Sequence, residues 1–222
     1  KIGETLKHHR RMLIVGEPGV GKSASLRKMT IDGLHRAAST ATQGAGSAAV
    51  LPVPVYVKAS RLVECGDGAS LCAATIPEDV PTSSFRVSSI LVDGLDEVPS
   101  DLHDTVIRNA AACADELDAP LIVSSRNVDT VAQTPEGYTR YEMLPFEFAQ
   151  AVEFFTKMVT SADKLEELKD ALEQIRVNLA LTPLTLLLLV QLAEGAEEIP
   201  ATIGELYDRF TDEVLGKSDF AR

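Results

Sequence analysis

Four apolar residues, Met12-Leu13-Ile14-Val15, form the first β-type run of the chain. Comparable runs recur at 53–58 (Val53-Pro54-Val55-Tyr56-Val57-Lys58), 88–93, 120–124 and roughly 140–144. Most of the intervals read as helices: 23–38, carrying Leu26, Met29 and Leu34, then 101–117, and a shorter stretch near 127–133. β and α elements in alternation predict a parallel sheet covered on both faces, with right-handed crossovers. Two intervals break the pattern. Ser39 to Ala49 holds only small and polar residues and predicts a mobile loop. Gly66 to Ser84 mixes Gly, Pro and acids around Leu71 and Ile76 and predicts irregular chain.

The period changes after Pro145. Phe148 to Met158, Leu165 to Leu179, Leu184 to Ala193 and Ile203 to Leu215 all repeat apolar residues at helical spacing. Thr202 stands three residues before Glu205, a capping-box arrangement. The Phe and Leu stripes read as the core of a second, helical unit. The expected organisation is an α/β domain over residues 1–146 and a helical domain over 147–222.

Chemistry enters at the end of the first strand. Gly16-Glu17-Pro18-Gly19-Val20-Gly21-Lys22-Ser23 fits G-x-x-x-x-G-K-[ST], between a strand and a helix. Glycines let backbone N–H groups close on phosphate oxygens without a Cβ in the way, and the helix start adds its positive end. Lys22 suits the β- and γ-phosphates, and the Ser23 hydroxyl suits Mg²⁺.

A second site is written in Ile90-Leu91-Val92-Asp93-Gly94-Leu95-Asp96-Glu97. The apolar residues read as a buried parallel strand that ends in an acid. Binding chemistry in open α/β sheets gathers at the carboxyl ends of strands, so Asp93 belongs beside the phosphate loop, as a Mg²⁺ ligand direct or through water. Gly94 leaves room for a ligand. Asp96 and Glu97 are candidates for orienting or deprotonating an attacking water.

This acidic block resembles the Walker B motif of NACHT domains, members of the STAND class of signal-transduction ATPases that includes NOD-like receptors. Leu121-Ile122-Val123-Ser124-Ser125-Arg126 is similar to that family's fourth strand with its sensor arginine. Leu144-Pro145-Phe146-Glu147, Thr182-Pro183-Leu184 and Ile203-Gly204-Glu205-Leu206-Tyr207 resemble landmarks of its helical domain. The resemblance covers about Arg11 to Leu215. It implies a P-loop NTPase fold of the additional-strand class, with a five-stranded parallel sheet in the order 5-1-4-3-2. It implies that Arg126 reads the γ-phosphate, although a surface arginine paired with an acid would leave the same sequence. It implies that Pro183 packs by the adenine; a helix-initiating proline is the other reading, and one residue can do both.

Charge narrows the partners. The net charge is −12, yet residues 1–40 hold eight Lys/Arg against three Asp/Glu. A basic start around the phosphate loop suits a polyanionic nucleotide. No basic stripe with interleaved aromatics follows, so direct nucleic-acid binding is not expected. Cys65, Cys72 and Cys113 have no C-x-x-C spacing and read as free thiols of a reducing, cytoplasmic compartment. The longest apolar run, Leu179 to Leu192, includes Thr182, Pro183, Thr185 and Gln191 and falls short of a bilayer span of ~20 residues. The start, Lys1-Ile2-Gly3-Glu4, has no secretory leader pattern and reads as the edge of an excised domain.

The expected function is that of an ATP-binding, slowly hydrolysing switch module with ATP/ADP and Mg²⁺ as its cofactors. No N-K-x-D guanine motif is present, which favours ATP. The resemblance implies self-association in the full-length protein, with effector and sensor domains outside this chain. Two other classes remain open: an AAA+-like remodelling enzyme of high turnover, and a non-hydrolysing scaffold holding ADP.

Overall fold

The computed structural model describes residues 9–42, 50–76, 82–126, 134–175 and 180–194, with 204–205, 207–209 and 211 beyond them. The chain divides into two compact units, Lys1–Pro18 with Lys22–Met143, and Gly19–Gly21 with Leu144–Arg222.

In the first unit the strands are β1 (Arg11–Gly16), β2 (Leu51–Lys58), β3 (Phe85–Asp93), β4 (Leu121–Ser125) and β5 (Thr139–Met143). The helices between them are α1 (Lys22–Thr42), α2 (Gly68–Thr75) and α3 (His103–Glu116). All neighbouring strands pair in parallel, in the order β2-β3-β4-β1-β5, which is the expected order read from its other end. Period-two burial sorts the strand residues onto two faces. Leu13, Val15, Val55, Val57, Ile90, Val92, Leu121 and Val123 pack with Val106, Ala110 and Cys113 of α3. Met12, Ile14, Leu91 and Ile122 pack with Leu26 of α1. Each of the Val, Leu, Ile and Met side chains among them contributes about 1.5–3 kcal/mol by leaving water.

β2 carries two prolines, Pro52 and Pro54, with a register shift between Val53 and Pro54. Proline cannot donate to a ladder, and β2 lies at the sheet edge, where this is tolerated.

Two sequence expectations need correction. The helix after the phosphate loop does not stop at Ala38 but runs to Thr42. The hydroxyls of Ser39, Thr40 and Thr42 donate to the carbonyls of His35, Arg36 and Ala38, so small polar residues continue the turn instead of ending it. Residues 43–49 lie outside the described residues. Irregular chain between the second and third strands gives way to α2. Asp67 caps it by accepting from the Ser70 N–H at 2.7 Å, and Leu71 is fully buried. The short helix expected near 127–133 lies outside the described residues.

In the second unit, α4 (Phe148–Met158), α5 (Ala162–Ile175) and α6 (Pro183–Glu194) share one core of Ala151, Phe155, Leu168, Leu172, Leu186 and Leu189. The Gln150 side chain accepts from the Glu147 N–H at 2.9 Å at the start of α4. At α6 the Thr182 hydroxyl accepts from the Thr185 N–H at 3.2 Å, and Pro183 is the first helical residue. Of the helix expected over Ile203 to Leu215, the described residues Gly204, Glu205, Tyr207, Asp208, Arg209 and Thr211 are helical. Thr202 lies outside them. No helix among the described residues is long and apolar enough to cross a membrane.

Candidate functional site

β1 ends at Gly16 and α1 begins at Lys22, so Glu17, Pro18, Gly19, Val20 and Gly21 form the loop between them. Gly19 and Gly21 adopt φ of +78° and +97°, the left-handed region that turns successive N–H groups. The Lys22 ammonium folds back over the loop and donates to the carbonyls of Gly16 at 2.7 Å and Glu17 at 3.0 Å. Its burial lowers its proton affinity; Asp96 and Asp93 oppose that shift and Arg126 adds to it.

Asp93, at the end of β3, is 1% exposed, and both of its carboxylate oxygens are engaged. Oδ1 accepts from the hydroxyls of Ser23 and Ser124, each at 2.8 Å. Oδ2 accepts from the Tyr56 hydroxyl at 2.7 Å and the Lys58 ammonium at 2.9 Å. Burial pushes the carboxyl up, but the bonds from Lys58, Tyr56, Ser124 and Ser23 together outweigh it and hold it down at about 2. Asp93 is therefore ionised at any physiological pH.

Immediately after Asp93, Gly94 takes φ +80° and its N–H donates to Ser124 Oγ at 3.1 Å. A Cβ there would stand 2.8 Å from the Glu97 carboxyl carbon. The space that the sequence reading reserved for a ligand is thus bordered by Glu97. The next residues form a 3₁₀ turn, Leu95–Glu97. Asp96 accepts from the Arg126 backbone N–H and from its guanidinium Nε, both at 2.9 Å. Glu97 is largely exposed and lies 3.4 Å from Lys58.

The carboxyl ends of β1, β3 and β4 therefore bring together Lys22, Ser23, Asp93, Asp96, Glu97 and Arg126. Arg126 is paired with an acid, as its plainer sequence reading had it, and Pro183 opens a helix, as its own plainer reading had it. The sequence reading missed three residues: Tyr56, Lys58 and Ser124. Lys58 and Tyr56 were visible as polar tips at the carboxyl end of a β-type run, where parallel strands present their chemistry. Ser124 was visible as one of two hydroxyls, with Ser125, that end a buried strand opened by Leu121, Ile122 and Val123.

The donor set fits a hard divalent cation. A hydroxyl and an ionised carboxylate stand 2.8 Å apart, both oxygens of the type that Mg²⁺ prefers. The left-handed glycines and the start of α1 form a loop of the kind that receives phosphate.

No family model matches the chain, and no curated protein matches it. Among solved structures it is similar to the AAA domain of FIGL-1 in complex with ADP, at 16% identity and a TM-score of 0.42, over 84% of this chain. It spans 61% of the length of that FIGL-1 chain. It is also similar to domain III of the Thermotoga maritima replication initiation protein DnaA, at 14% identity and a TM-score of 0.47, over 92% of this chain and 88% of that one. Its own sheet order and its strand–loop–helix at Gly16–Ser23 give it the α/β fold of a P-loop protein with a five-stranded parallel sheet.

Proposed function

We propose that this chain binds ATP with Mg²⁺ and hydrolyses it slowly, as a NACHT-type switch module of a larger cytoplasmic signalling protein. One observation carries the reading: Ser23 of the phosphate loop and Asp93 of the acidic strand, 70 residues apart in sequence, share a 2.8 Å hydrogen bond.

The roles follow from position. The backbone of Gly16 to Lys22 cradles the phosphates, and Lys22 exchanges its loop carbonyls for phosphate oxygens, which are stronger, charged acceptors. Ser23 and Asp93 hold Mg²⁺, which when bound neutralises charge on the β- and γ-phosphates. Glu97, largely exposed to solvent, orients water. Asp96 shares that acidic turn and keeps Arg126 in place. The Arg126 fork can transfer from Asp96 to a γ-phosphate, which would make the arginine sensitive to hydrolysis. Pro183 packs by the base. Self-association and control of an effector belong to the full-length protein.

Isothermal titration separates these roles. Wild-type protein should bind ATP more tightly with Mg²⁺ than with EDTA. Lys22→Ala should lose roughly ten- to hundredfold in affinity, the equivalent of a charge-assisted bond of about 1.5–3 kcal/mol. Asp93→Ala should bind without the Mg²⁺ advantage. Glu97→Gln should bind normally and turn over more slowly. An unchanged dissociation constant in Lys22→Ala would overturn the phosphate-loop assignment.

A further inference from the structure

We propose that Lys58 is the resident counter-cation of Asp93, and that it competes with Mg²⁺ so as to set the magnesium level at which nucleotide is retained. The inference rests on the nucleotide reading above and adds a control to the same site.

A carboxylate offers about four lone-pair positions. At Asp93 the four are filled by Ser23 and Ser124 on Oδ1 and by Tyr56 and Lys58 on Oδ2. Three of these partners are neutral hydroxyls, which can rotate and share the carboxylate with a metal. Lys58 is the one positive charge among them. It cannot coordinate a cation, and a divalent ion beside Asp93 repels it.

Lys58 is also the partner built to leave. Its side chain is 38% exposed, whereas Asp93 is buried. Its ammonium already spans from Asp93 to Glu97, at 2.9 and 3.4 Å. Release toward Glu97 and water exposes no unpaired buried donor. Tyr56 is more constrained, since Arg27 donates to its hydroxyl at 3.4 Å and lies over its ring at 5.9 Å. The sheet fixes the starting geometry: β2 and β3 pair in parallel with Lys58 opposite Asp93. With no metal present, Lys58 leaves the buried carboxylate satisfied. With metal present, its attraction to Asp93 is the energy that the ion must replace.

The test titrates Mg²⁺ into folded protein with a fixed amount of fluorescent ADP and reads the midpoint of nucleotide retention. Lys58→Gln keeps an N–H donor and removes the charge; its midpoint should fall at least threefold. Lys58→Arg keeps the charge, and its midpoint should stay within twofold of wild type. A midpoint for Lys58→Gln that is unchanged or raised overturns the proposal, as does a Lys58→Arg midpoint that falls as far as that of Lys58→Gln. A second readout needs no variant. Acetylation of Lys58 in wild-type protein, followed by mass spectrometry, should rise at least twofold when Mg²⁺ is added to the ADP-bound protein in place of EDTA. No rise overturns the proposal even if Lys58→Gln does not fold. Wild-type protein that binds no nucleotide at any Mg²⁺ level would overturn the nucleotide reading as well. Normal Mg²⁺-dependent binding with no Lys58 effect would overturn this inference alone.

Discussion

Asp96 holds Arg126 at two points: one carboxylate oxygen accepts from the backbone N–H and the other from the guanidinium, both at 2.9 Å. The two partners are not equally committed, because the Asp96 side chain is 10% exposed and that of Arg126 is 56% exposed. An ion pair with one exposed member stabilises little, about 0–1 kcal/mol. Arg126→Ala should therefore leave the urea midpoint nearly unchanged. Asp96→Ala removes the acceptor for the backbone as well and should cost about 1 kcal/mol more. In binding, Arg126→Ala should retain wild-type affinity for ADP and lose preference for a non-hydrolysable ATP analogue. A preference that survives intact would remove Arg126 from the γ-phosphate.

Gly94→Ala should destabilise the first unit by about 1–3 kcal/mol, from the left-handed backbone and from the approach of Glu97. The two causes can be divided. Glu97→Ala in the same chain should recover the part due to the 2.8 Å contact and leave the part due to φ +80°. Denaturant unfolding of both single variants and the double variant gives the coupling. No coupling would mean that Glu97 simply swings aside.

Asp93 links stability to acid. Its carboxyl titrates at about 2 when folded, against 3.8 as the ordinary value. A depressed folded value stabilises at pH above the ordinary one, and that stabilisation is lost as pH falls from about 4 through about 2. The contribution at neutral pH is of order 2 kcal/mol, at 1.36 kcal/mol per unit. Asp93→Asn should therefore be the less stable protein at pH 7, and its disadvantage should shrink toward pH 2. Urea unfolding across that range checks the sign; a gap that widens in acid would contradict it.

Phe155 is fully buried among α4, α5 and α6. Phe155→Ala should cost the second unit about 3–5 kcal/mol, the usual penalty for an emptied aromatic site. Thermal unfolding should show it, with the far-ultraviolet helical signal the most affected.

Much of the first unit was legible because fully buried parallel strands are written as short apolar runs, and the runs at Met12 and Leu121 are almost free of competing signals. The sheet order was legible only through the resemblance, since burial cannot tell which buried strand sits beside which. Ser23 and Asp93 were legible from their places at strand and loop ends. Tyr56 and Lys58 stood at an equally suggestive strand end but were passed over, because a tyrosine and a lysine at a strand terminus ordinarily mark the passage to solvent. Only the pairing of Lys58 with Asp93 in the β2–β3 register turns them into site residues. The end of α1 was misjudged for a local reason: Ser39, Thr40 and Thr42 disfavour helix by propensity, yet their hydroxyls bond back to the preceding turn.

Pro52 and Pro54 bear on how copies of this chain can meet. A row of free backbone donors and acceptors along a sheet edge invites a strand from another molecule. β2 borders one side of the sheet, and two of its eight residues have no N–H to offer. An incoming strand would find a broken ladder there, so fibril-like growth through this edge is discouraged by covalent structure alone. Contact between copies through this edge is thereby directed toward side-chain surfaces, whose strength can be tuned, and away from backbone zippering, whose strength cannot.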